Sequence, residues 1–210
     1  VTRAAEALLS EGPVELAVTE QEVRAMALER RAALDEGSMP LSPGDVVVVS
    51  GGARGVTART ALALARAARP TLVLLGRSEA PGAEPAWLSG VHGEGAVKQA
   101  LLAHAESRMS PRELEQACRN VLAAREVRAN LAAMEAAGSR VLYRSVDIRD
   151  AVAVQRVLDE ARAGVGPVRG VVHGAGVIED KLILDKQPEQ FDRVYGTKVE
   201  GLRALLAAVG

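Results

Sequence analysis

From residue 45 onward the chain alternates between two hydrophobic rhythms. Four short apolar runs, VVVV at 46–49, TLVLL at 71–75, RVLYRSV at 140–146 and VRGVVH at 168–173, are rich in β-branched residues. Where such runs do not alternate with polar residues they predict strands buried on both faces of a parallel sheet. Between them lie VTARTALALARAA, EVRANLAAMEAAG and AVAVQRVLDEARA, where apolar residues return every three to four positions, the spacing of one helix face. Strand and helix in regular succession predict right-handed crossovers and an α/β fold with a Rossmann-like, doubly wound parallel sheet.

The second and third runs are too far apart for one crossover helix. The loop EAPGAEPAWLSGVHGEG leads into AVKQALLAHAE, a short helix. Ser110, Pro111 and Glu113 then supply an N-cap, a first-turn proline and a capping-box acid. A single helix from there to Ala137 would extend roughly 40 Å at about 1.5 Å per residue and overshoot the sheet. Residues about 79–119 therefore read as a helical insertion between strands two and three.

Two further segments carry helical patterns. TEQEVRAMALERRAALDEG predicts a polar helix with Thr19 as N-cap and Glu22 completing a capping box. The glycine, proline and serine of GSMPLSPGD then mark a boundary, separating residues 1–42 from a domain at 43–210. In FDRVYGTKVEGLRALL, a 100° turn per residue gathers Phe191, Val194, Tyr195, Leu202, Leu205 and Val209 on one face with Lys198 at its centre. Asp192, Arg193, Thr197, Glu200 and Arg203 point elsewhere. Such a lysine either snorkels to water along its apolar stem or serves a polar site.

Composition narrows the function. The 26 Lys and Arg nearly balance the 27 Asp and Glu, for a formal charge of -1, which gives no overall electrostatic case for nucleic acid or an anionic membrane. Cys118 is the one cysteine, so an intrachain disulfide is excluded, and no Cys/His spacing suggests a metal. A reducing, cytoplasmic setting follows as the default. No apolar run approaches the roughly 20 residues of a membrane span. The chain begins at Val1 without a signal-peptide layout and ends at Gly210 within a helical pattern, as expected of a piece of a longer protein with the sheet incomplete at its C-terminal end.

The candidate chemistry gathers at strand ends. SGGARGV follows the first strand and opens a helix, so Ser50, Gly51, Gly52, Arg54, Gly55 and Val56 form either a bare tight turn or a cradle of N–H groups and helix dipole for a phosphate. Its position at the first crossover favours a dinucleotide. After the second strand stand Arg77 and Ser78, where an acid would bind the 2′-hydroxyl of NAD; with Arg54 they predict a 2′-phosphate and hence NADPH. The third strand ends at Asp147 and Ile148, where Asp147 is either an adenine contact or the N-cap of the next helix. The fourth ends in His173, Gly174, Ala175 and Gly176. All four ends share the rim on which an open parallel sheet binds its ligand.

The ordered set VVVVSGGARG, LVLLGRS, SVDIRD, VVHGAGV and YGTKVEGLRALL resembles the ketoreductase domains of modular polyketide and polyunsaturated fatty acid synthases, in the short-chain dehydrogenase/reductase superfamily, over residues 45–210. Ser50 and Thr57 depart from the threonine and last glycine of the superfamily's TGxxxGxG. The resemblance implies NADPH-dependent reduction of a β-ketoacyl thioester on the phosphopantetheine arm of an acyl carrier protein, among other megasynthase domains. It makes residues 1–42 the tail of a preceding structural subdomain. It places Lys198, in TKVEG, in the active site, where it holds down the pKa of a tyrosine that protonates the carbonyl oxygen while a serine positions that oxygen. The tyrosine motif is expected after a fifth strand beyond Gly210, so these 210 residues alone are expected to be inactive. Asp180 in IED matches the last position of the LDD that accompanies R-hydroxyl products. A structural, non-reducing ketoreductase-like module and a free-standing reductase of small ketones are the alternatives.

Overall fold

The computed structural model describes residues 2–9, 11–12, 15–29 and 40–210. They fall into two compact units, Val1–Ser38 and Met39–Gly210. In the first, helix α1 (Thr2–Leu9) precedes an antiparallel hairpin of β1 (Leu16–Val18) and β2 (Val23–Ala25). This corrects the helix expected from Thr19. Its hydroxyl does accept the Glu22 N–H at 3.0 Å, but the Thr19 N–H donates back to the Glu22 carbonyl at 2.9 Å and closes a turn between the strands. A hydroxyl receiving N–H groups two and three residues ahead serves a turn as well as a helix start. Residues 30–37 of the expected helix lie outside the described residues.

In the second unit the four predicted strands are all present. β3 (Val46–Ser50), β4 (Thr71–Gly76), β5 (Val141–Ser145) and β6 (Val168–His173) form one parallel sheet in the order β5-β4-β3-β6. The chain winds outward from β3 through β4 to β5, then returns to place β6 on the other side of β3. The direction of winding thus reverses between β3 and β6, and the carboxyl ends of those strands frame the ligand crevice of this topology.

Side-chain alternation explains why the apolar runs are continuous. Val46, Val48, Val73 and Leu75 pack on Val154 and Leu158 of α5 (Ala151–Val165) and on Leu205 and Ala208 of α7 (Gly201–Val209). Val47, Val49, Leu72 and Leu74 pack on the opposite layer, on Ala58, Ala61 and Ala65 of α2 (Gly55–Ala68) and Met134 of α4 (Pro111–Ala136). Successive strand residues point to opposite faces, so a strand covered on both sides must be apolar throughout.

The long helix forms as the capping signals require. Ser110 accepts the Glu113 N–H at 3.3 Å, and Glu113 accepts the Ser110 N–H at 2.7 Å, starting a helix of 26 residues. Its N-terminal part joins α3 (Glu94–Ala103) around a small satellite core of Leu88, Val97 and Cys118. Burial pushes the Cys118 thiol pKa up, as befits a packing residue. Arg125 of α4 then ties the insertion loop down, donating to Glu84 at 2.7 Å and to the Val91 and Leu88 carbonyls at 2.6 and 3.0 Å. Arg128 adds bonds to the Gly82 carbonyl and Glu84 at 2.8 and 3.2 Å.

The C-terminal helical pattern is interrupted, which corrects the single stripe expected from it. α6 (Pro188–Tyr195) and α7 are separated by a π-helical turn, Gly196–Glu200, in which the Gly201 N–H reaches the Gly196 carbonyl five residues back. The wider turn shifts the angular phase, so positions before and after it no longer share a face. Leu205 is buried, whereas Phe191, Tyr195 and Leu202 are exposed and Thr197 and Gly201 take the inner positions. Lys198 is itself exposed. Among the described residues no helix is long and apolar enough to cross a membrane, and no group of three or more His, Cys, Asp or Glu is placed to hold a metal.

Candidate functional site

The turn after β3 is shaped by a close approach. Gly51 has φ +69°, and a Cβ on it would stand 2.9 Å from the Ala175 backbone nitrogen. Glycine is required there on both counts, since the left-handed region is costly for other residues and backbone cannot yield as a side chain would. The contact brings the turn after β3 against the turn after β6. Gly52, by contrast, faces inward, where a Cβ would meet Val49 and Leu74.

Along this rim runs a cleft. Its inner part, about 270 Å³, is lined by Gly51, Arg54, Arg77, Ile148 and the Gly174–Gly176 turn. Its outer part, about 500 Å³, shares Gly51, Arg54 and Arg77 and adds Ser78 and Tyr143. Asn120, Ala123, Ala124 and Val127 of α4 complete the outer wall. The glycine-rich turn, both predicted arginines and the HGAG turn therefore converge. The Arg77 guanidinium has no hydrogen-bonding partner among the described residues. The Ser78 carbonyl accepts the Tyr143 hydroxyl at 2.7 Å, so Tyr143 braces the outer part.

His173 is held at both ring nitrogens. Its Nε2 lies 3.0 Å from the Lys198 carbonyl, which can only accept, so Nε2 carries the proton. Nδ1 then accepts from the Ser50 hydroxyl at 2.7 Å, and that hydroxyl accepts the Ala175 N–H at 3.3 Å. This chain fastens β3, the HGAG turn and the π turn together. It also explains how serine serves where the superfamily has threonine: the one group used is the hydroxyl. Gly201 lets the π turn close in, since a Cβ there would meet Ile148 at 2.9 Å and the His173 ring at 3.4 Å.

The exposed Lys198 side chain lies against Gly176. A Cβ on Gly176 would lie 2.8 Å from Lys198 Nζ and 2.7 Å from Cε, which puts the ammonium at the HGAG turn. A Cβ on Gly174 would collide with Thr57 at 2.3 Å. The threonine that stands at the motif's last glycine thus fits because its neighbour has no side chain.

Other expected site residues do not line the cleft. Ser50 is fully buried, and Val56 is 81% exposed at the outer end of the turn. The Gly55 N–H donates at 2.8 Å to Glu126 of α4. Asp147 is not the cap of α5: that is Asp150, whose carboxylate accepts the Ala153 N–H at 3.0 Å. Asp147 instead accepts the Arg149 N–H at 3.0 Å and pairs with its guanidinium at 2.6 Å, which holds the carboxyl at a pKa of about 2. Its neighbours Val146 and Ile148 line the cleft. The contribution of α4 went unseen in the sequence, because no local pattern says which face of a long helix meets a turn some 70 residues earlier.

A doubly wound parallel sheet with a glycine-cradled cleft at its reversal point defines a dinucleotide-binding domain. Residues 45–210 match the KR domain family, and the chain belongs to it. The chain is 40% identical over 197 residues to one of the polyunsaturated fatty acid synthase subunits of Thraustochytrium sp., covering 89% of this chain and 7% of that protein. A crystal structure of a ketoreductase domain from the bacillaene assembly line matches with a TM-score of 0.57 and 26% identity, over 85% of this chain and 33% of that one. A short-chain type dehydrogenase/reductase from Mycobacterium marinum shares the fold with a TM-score of 0.54 at 17% identity, over 80% of this chain and 50% of that one. The family and fold imply a nicotinamide cofactor.

Proposed function

We propose that this domain binds NADPH and reduces a β-ketoacyl thioester, carried on an acyl carrier protein, to the β-hydroxyacyl thioester within a polyketide or fatty acid megasynthase in the cytoplasm. The observation that carries this reading is the meeting of Gly51, Arg54, Arg77 and the Gly174–Gly176 turn in one cleft, with the Lys198 ammonium at the HGAG turn. The residues present fit the cofactor: glycines leave room where a Cβ would fill the cradle, and two arginines supply charge for a 2′-phosphate. When bound, NADPH supplies the hydride. Residues 1–42 act as the tail of a structural subdomain ahead of the domain at 43–210.

Lys198 holds a positive charge where a phenol must give up its proton. A cation beside a tyrosine favours the phenolate and brings its pKa toward the working pH. The two tyrosines of this chain are otherwise engaged. Tyr143 donates to the Ser78 carbonyl, and Tyr195 stacks on Phe191 with ring centroids 5.7 Å apart. The resemblance to ketoreductases places the proton donor on a tyrosine outside these 210 residues, which on this reading bind cofactor without turning it over.

The reading is tested by offering the intact synthase NADPH and a β-ketoacyl thioester on its carrier protein, following absorbance at the nicotinamide and the product by mass spectrometry. Consumption of NADPH matched by β-hydroxyacyl product is expected; chiral analysis should find the R alcohol if Asp180 reports the facial choice. Cofactor binding without turnover would favour the structural module. Gly176→Ala gives a sharper check, because the added Cβ displaces the Lys198 ammonium without touching backbone. Displacements near 1 Å cost up to about a hundredfold, so kcat should fall by about ten- to a hundredfold while the protein remains folded.

A further inference from the structure

We propose that Glu126 of α4 is a positioning residue that sets Arg54 for the 2′-phosphate, so that the helix crossing from β4 to β5 takes part in choosing the cofactor. This rests on the NADPH reading above. Arg54 is the N-cap of α2, with an extended backbone at φ -143° and ψ 161°, and its side chain offers no acceptor for the free N–H groups of the first turn. Glu126 provides one. Its Oε1 accepts the Gly55 N–H at 2.8 Å, and its Oε2 accepts Arg54 Nε–H at 3.0 Å. One helical turn on, Asn130 donates to the Ala53 carbonyl at 2.9 Å. Residues four apart lie on one helix face, so a single face of α4 grips Ala53, Arg54 and Gly55 in succession.

The choice of guanidinium edge matters. A guanidinium is a rigid planar fork, and holding its Nε–H fixes the plane of the other two nitrogens. Those two have no hydrogen-bonding partner among the described residues. Arg54 lines both parts of the cleft and Glu126 lines neither, which puts the carboxylate behind the arginine, away from the ligand. The Gly55 N–H, followed by Arg54 and Arg59, holds the Glu126 carboxyl below the ordinary carboxylate range, so it stays charged throughout the neutral range.

Titration calorimetry on the intact synthase, with NADPH, NADH and 2′-AMP as probes, tests the assignment. Glu126→Gln should weaken NADPH and 2′-AMP about tenfold and leave NADH within about twofold. Glu126→Asp, which keeps the charge on a shorter stem, should restore part of the preference. Asn130→Ala loosens the turn without touching the guanidinium and should affect both dinucleotides alike. Equal weakening of NADPH and NADH by Glu126→Gln would reduce Glu126 to scaffold, and tighter NADPH binding would make it a competitor for the phosphate; either overturns the proposal. Equal affinity of the wild type for the two dinucleotides would sink the 2′-phosphate reading itself, so the two failures are told apart before any variant is made.

Discussion

On the proposed reading, replacing Lys198 with methionine is expected to lower ketone reduction by the full-length protein about a thousandfold, within the range that general acid–base catalysis supplies. Methionine keeps the length of the stem and removes the charge, so packing against Gly176 survives while the phenol loses the cation that lowers its pKa. The loss should sit in kcat, and it should shrink as pH rises toward the ordinary tyrosine pKa of about 10, where the phenolate forms unaided. The measurement is a pH–rate profile of wild type and variant. A uniform loss across the whole profile would mean that the lysine acts only through binding.

If the domain takes NADPH as proposed, Arg77→Ala should erase most of the preference for it over NADH, weakening NADPH by about thirty- to a hundredfold, as expected for a charge-assisted pair with phosphate, while NADH changes little. Arg77 carries the larger share because its guanidinium has no hydrogen-bonding partner among the described residues and only acts at a distance on Asp147, whereas Arg54 already pairs with Glu126. Competitive binding of the two dinucleotides reads the effect directly. Parallel losses for NADPH and NADH would show that Arg77 shapes the cleft without reading the 2′-position. Salt distinguishes the cases further, since a phosphate contact at an exposed arginine weakens with ionic strength.

The sheet and its covering helices were legible because each is written in a local period. The valines at 46–49 are apolar at both parities because α5 and α7 cover one face and α2 and α4 the other. Ser110, Pro111 and Glu113 announced the long helix because a cap is satisfied within four residues. Thr19 and Glu22 misled for the same reason: the hydroxyl-to-amide bond that opens a helix also closes a hairpin, and the neighbouring strand decides which.

What the sequence by itself determined was the order of strands and helices, the glycine-rich turn at the first crossover and the residue types on the rim, all features whose energy is local in the chain. The tertiary structure alone decided which of those residues meet. The Ser50 hydroxyl finds His173 across 123 positions, Glu126 finds Arg54 across 72, and the π turn at Gly196–Glu200 rotates Lys198 off the apolar face and toward Gly176. A regular period of 3.6 residues has no means of recording an extra residue in one turn. Nor does it record side-chain bonds between distant segments, which form only after the sheet has brought its strand ends to one edge.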